Sequence, residues 1–192
     1  MPTAPVHATL TRHDDSQSSA VRGVDVRIAR TASGTLAATY VFEGDIDRVR
    51  LGAAQPRCVT DRLWEHTCCE MFIACKGAPG YHEFNFAPSG DWTGYAFQTY
   101  RERDVPDTNG DVRHADPQIA LRRTPKTLEL DVLMPLGRVS SGYADGPLAL
   151  ALAAVVEDQD GCFSYWALAH PPGEPDFHHP DAFALTLDEV RD

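Results

Sequence analysis

The chain has 192 residues and a formal net charge of -11, from 28 acidic against 17 basic side chains. So acidic a chain lacks the basic footprint that nucleic-acid binding demands, and no apolar run approaches the length of a membrane span, so neither partner is expected. A chain of this size buries on the order of 70% of its unfolded surface, enough for a single domain without covalent staples.

The opening residues, MPTAPVHATLTRHDD, contain no basic segment followed by an apolar one. The five cysteines, Cys58, Cys68, Cys69, Cys75 and Cys162, are odd in number and show no CxxC spacing. Together these features predict a cytoplasmic protein with reduced thiols. Strand-like alternation then recurs along the chain. It falls near Ala8–Arg12, Val24–Arg30, Thr35–Glu43, Val49–Leu51, Thr67–Ala74, Tyr81–Ala87 and Trp92–Arg101, and again near Gln118–Arg123, Thr127–Pro135, Leu148–Asp158, Phe163–Leu168 and Ala182–Leu187. Gly, Pro, Asp and Ser clusters of hairpin length separate most of these segments. Residues 102–117 form a longer polar loop, and Leu136–Ser140 is the one brief helical turn. The sum is an all-β chain, a single antiparallel β-sandwich of jelly-roll or immunoglobulin-like type with little helix; a closed barrel is the alternative.

The segment Tyr81–Arg101, YHEFNFAPSGDWTGYAFQTYR, carries the chemistry. Period-two geometry puts His82, Phe84 and Phe86 on one side and Tyr81, Glu83 and Asn85 on the other. Pro88, Ser89, Gly90 and Asp91 supply a reversal, and Gly94 in the returning strand leaves room for something to approach the sheet. In Thr67–Ala74, Cys69, Met71 and Ile73 form the better core face, so Glu70 joins the opposite one. If the two strands share a sheet, Glu70, Glu83 and Asn85 line one surface, with Trp64, Trp92, Tyr95 and Arg101 at its rim or floor. Carboxylates and amides exchange hydrogen bonds with sugar hydroxyls, Arg adds a planar fork of donors, and an aromatic ring covers the apolar face of a pyranose. The same polar alternation would also arise on a merely solvated face.

The segments LWEHTCCEMFIA, YHEFNFAPSGDWTGYAFQTYR and WALAHPPGEPDFHHPDAF together resemble the DOMON-like domains related to family 9 carbohydrate-binding modules, over roughly residues 63–183. The resemblance implies a sandwich that binds sugars or haem in a pocket on one sheet, with calcium in some carbohydrate-binding members. A non-catalytic binder of a small ligand, most plausibly a carbohydrate, is therefore expected, with Trp64, Glu70, Glu83, Asn85, Trp92, Tyr95, Arg101 and His178 around the ligand. Three alternatives stand beside it: a haem-binding domain using Met71 or Met134 with a late histidine, a glycoside-active enzyme using Glu70 and Glu83, and an interaction domain with a vestigial pocket. No cofactor is required by the main reading. His170, Asp176, His178 and His179, in the Pro-rich HPPGEPDFHHPD, are weak candidates for a metal, because their spacing matches no established signature.

Overall fold

The structure is a computed structural model that describes residues 4–52, 60–104 and 112–189. Cys58 and much of the polar loop expected after Glu102 lie outside the described residues. Among the described residues eleven strands follow one antiparallel path in the order β7-β6-β5-β4-β10-β11-β1-β2-β3-β9-β8, with a twelfth, β12, attached to β10. In chain order they are β1 (Val6–Arg12), β2 (Val21–Arg30), β3 (Thr35–Gly44), β4 (Cys68–Cys75), β5 (Tyr81–Phe86) and β6 (Trp92–Thr99), then β7 (Glu102–Arg103), β8 (Gln118–Arg123), β9 (Thr127–Pro135), β10 (Leu148–Glu157), β11 (Phe163–Ala167) and β12 (Leu185–Leu187). Among the described residues one α-helical turn, α1, spans Gly142–Asp145, and the turn expected after Pro135 is a 3-10 turn at Leu136–Arg138.

The path divides into two sheets that share β1. Val6 to Leu10 pair with β2, whereas Thr11 and Arg12 pair with Ala167 and Trp166 of β11. The all-β sandwich expected from alternation is what the chain forms. In β3, Leu36, Ala38, Tyr40 and Phe42 point inward, and β9 contributes Leu128, Leu130, Val132 and Met134. Cys69, Met71, Ile73, Phe84, Phe86 and Trp92 face them from the other sheet. Each large apolar side chain so enclosed contributes about 1.5–3 kcal/mol relative to exposure.

The continuous apolar run of β10 is explained by its central place. Leu148, Leu150, Leu152, Ala154 and Val156 enter the inter-sheet core, while Ala151, Ala153 and Val155 lie on the opposite face. That opposite face has an apolar layer of its own, in which Cys68, Phe72, Tyr81, Phe97 and Ala167 meet Leu63, Phe177 and Ala182 from the covering segments. Cys68 and Cys69 thus point to opposite faces, as adjacent strand residues must.

Three expected elements change form. Val49–Leu51 is no strand: a 3-10 turn at Ile46–Arg48 takes the Val49 N–H, and a single bridge to Asp158 remains. Ala182–Leu187 divides into a 3-10 turn at Pro180–Ala182, capped by the His179 side chain, and the short β12. β6 ends at Thr99, because Arg101 adopts a left-handed φ of 56° and turns the chain back into β7.

Candidate functional site

Register across β10, β4, β5 and β6 builds the site. Glu70 lies opposite Ala153 on one side and Asn85 on the other, and Asn85 lies opposite Thr93. The adjacent row runs Ala151, Phe72, Glu83, Tyr95. Directly paired residues share a face, so Glu70, Glu83, Asn85, Thr93 and Tyr95 stand together on the outer side of this sheet, over the small side chains of β10. Glu70 and Glu83 are each 4% exposed and Asn85 is 0% exposed, so this polar face is not a solvated one.

Asn85 Nδ2 donates to Glu83 Oε1 at 2.7 Å. The other oxygen of Glu83 faces His178 Nε2 at 3.5 Å. The Arg101 backbone N–H donates to the Tyr81 hydroxyl at 3.2 Å, which frees that hydroxyl to donate to His178 Nδ1 at 2.8 Å. Donation by the Tyr81 hydroxyl would set the His178 proton on Nε2, on the side of Glu83. Burial holds the His178 imidazole down to about 4, reinforced by the positive charges of Arg101 and Arg103 and opposed by Asp176. Because the folded value lies below the ordinary 6.5, neutral His178 favours the fold above that pH, and the advantage is lost as pH falls toward 4. The expected NMR result is an Nε2–H tautomer that persists on acidification until about pH 4; titration near pH 6.5 would mean that the ring lies outside this network.

Both carboxyls are pushed above the usual carboxylate range. For Glu70 the cause is burial and then the nearby Glu83. For Glu83 burial dominates, against the Asn85 amide bond and the charges of Arg103 and Arg101. Above them lies an aromatic rim. Tyr95 donates its hydroxyl to Asp61, the edge of half-buried Trp64 meets its ring at 5.5 Å between centroids, and the Arg103 guanidinium sits 4.1 Å from the ring centroid.

Several expected site residues are elsewhere. Trp92 pairs with Phe86 and is buried between the sheets, on the face opposite Glu83. Gly94 opens no path for a ligand: a Cβ there would come 2.9 Å from the Phe84 ring and 3.1 Å from Val112, so its space is filled by core side chains. Arg101, expected at the rim or floor, directs its guanidinium to Asp176 at 2.8 Å, and its charge still acts on Glu70, Glu83 and His178. The four metal candidates have separate duties. His170 bonds the Thr11 carbonyl, Asp176 holds Tyr100 and Arg101, His178 joins Tyr81, and His179 accepts from the Asp181 N–H. Among the described residues no group of three or more His, Cys, Asp or Glu gathers around a common point. Met71 and Met134 are both in the inter-sheet core, away from His178. Tyr81, Thr93 and Arg103 join the site without having been singled out; Tyr81 was already on the Glu83 face by parity.

No family model matches the sequence, and no curated protein matches it. In three dimensions the chain is similar to a protein from Bacteroides uniformis provisionally named as carbohydrate-binding, with a TM-score of 0.67 at 18% identity, over 95% of this chain and 85% of that one. It is also similar to a family 9 carbohydrate-binding module from Caldicellulosiruptor kristjanssonii in complex with glucose, with a TM-score of 0.53 at 9% identity, over 82% of this chain and 72% of that one. The fold is shared with both. At these identities it is the fold alone that the likeness carries.

Proposed function

We propose that the protein is a non-catalytic binding module of the kind found in DOMON-like domains and family 9 carbohydrate-binding modules, holding a sugar or sugar derivative against the outer face of β4, β5 and β6. The observation that carries this reading is the buried Glu70, Glu83 and Asn85 group, in which Asn85 Oδ1 has no hydrogen-bond partner among the described residues. A buried amide oxygen left so is costly, and a ligand hydroxyl or amine supplies what is missing. The Trp64 and Tyr95 rings offer apolar area beside it, and the glucose held by the Caldicellulosiruptor module supports a carbohydrate. The binding role is favoured over glycoside chemistry because Glu83 is already engaged by Asn85 and faces a neutral His178, an arrangement that anchors a carboxyl rather than freeing it for proton transfer.

Calorimetric titration with a panel of monosaccharides tests the proposal. Glu83→Ala is expected to weaken the best ligand by about 1–3 kcal/mol, the cost of leaving a desolvated partner unmatched. Absence of heat with every sugar would sink the reading, and release of aryl alcohol from an aryl glycoside, lost in Glu83→Gln, would turn it into an enzyme.

A further inference from the structure

The balance of donors and acceptors on the buried face narrows the ligand further, given that the site binds a sugar at all. Among the described residues the Glu70 carboxyl receives only the Cys68 thiol, at 3.8 Å. Glu83 receives one Asn85 N–H and faces His178 at 3.5 Å, and Asn85 Oδ1 receives nothing from the described residues. The cations that act on these carboxyls are committed elsewhere: Arg101 bonds Asp176 at 2.8 Å, and Arg103 lies over the Tyr95 ring. Among the described residues the neighbours from β10 and the opposite sheet are uncharged. Ala153 of β10 is the neighbour on one side, and the Tyr40 hydroxyl from the opposite sheet bonds the Glu70 backbone carbonyl rather than its side chain.

Among the described residues the site is therefore rich in acceptor oxygens and short of N–H donors, with its carboxyls held toward the neutral form by burial until a cation compensates them. A neutral sugar hydroxyl brings one donor together with an acceptor that must itself be satisfied. An ammonium group brings three donors, no acceptor and one positive charge. Bonds from a charged donor to a carboxylate are also roughly twice as strong as neutral ones. We propose that the ligand is a protonated amino sugar, with its ammonium among Glu70, Glu83 and Asn85 Oδ1 and its ring toward Trp64 and Tyr95. The raised proton affinity of Glu70 fits this arrangement, since burial beside Glu83 disfavours its charge until a cation arrives.

The test is calorimetry on the full chain with glucosamine, N-acetylglucosamine and glucose at neutral pH. Glucosamine is expected to bind about tenfold tighter than either other sugar. Glucose binding as tightly as glucosamine overturns this inference and leaves the sugar-binding proposal standing, whereas silence from all three overturns both. Glu70→Gln should reduce the preference to less than about threefold; a preference that survives the substitution also overturns the inference. Should that variant fail to fold, the wild-type pH profile decides. Affinity for glucosamine should rise with pH as the two raised carboxyls lose their protons, and fall once the ligand amine loses its own. A glucosamine profile that merely parallels that of glucose overturns the inference.

Discussion

Replacing Phe84 with alanine is expected to destabilise the fold by roughly 3–5 kcal/mol, the cost of an aromatic-sized cavity in a closed core. Phe84 is 0% exposed, and its ring stacks on Phe86 with 10° between the planes. Across the sheet it covers Gly94, so the backbone of β6 would lose the surface that lies against it. The comparison that gives the experiment its meaning is Glu83→Ala, one residue away in sequence but on the other face. Its loss should weaken ligand binding while lowering stability less than Phe84→Ala does. Denaturant melts of both variants check this, and equal losses would make Glu83 a structural residue.

A second large effect is expected at Arg30, the last residue of β2, whose side chain is 0% exposed. Its guanidinium donates to the carbonyl oxygens of Tyr143 at 3.2 Å and Gly146 at 2.6 Å, and to that of Asp188. One buried cation thus joins the end of β2 to the α1 turn and to the segment after β12. Burying a guanidinium is tolerable only because its N–H groups find acceptors. Arg30→Met should cost roughly 3–5 kcal/mol, because desolvated carbonyls are left unmatched. Arg30→Lys should not restore the loss, since a single ammonium cannot reproduce the planar fork. Urea melts measure the cost, and hydrogen exchange should show protection lost first around residues 142–146 and 185–189. A loss below about 1 kcal/mol, the value of one ordinary hydrogen bond, would show that the carbonyls find water instead.

Arg30 also shows where alternation is informative and residue type misleads. Val24, Val26, Ile28 and Arg30 have the same parity, and all four side chains are buried. A guanidinium at a strand end reads as solvent-facing, because its partners come from segments more than a hundred residues away. The polar face follows the same logic with the opposite outcome. Parity alone put Glu83 and Asn85 together and set Glu70 on the other side from Met71, and the register confirms one shared face. Trp92 was misplaced because alternation within a strand does not say how the preceding turn joins it. The turn closed by Ala87 N–H to Asp91 C=O sets Trp92 opposite Phe86, which consigns its ring to the core. The prolines of the 170–181 segment account for its lack of strand and α-helix. The duties of His170 and His178 were not legible, because they depend on residues far along the chain, Thr11 and Tyr81.

The sharing of β1 between the two sheets bears on how the chain acquires its shape. Its first half pairs with the strand that follows it, but Thr11 and Arg12 must wait for Ala167 and Trp166. During synthesis the seam between the sheets therefore cannot close until Ala167 has left the ribosome. Until then β1 carries an unpaired edge beside exposed apolar side chains, the condition under which strands join the wrong partner. Loop closure on that scale places the protein among slow, topology-limited folders, with relaxation on the order of milliseconds to seconds.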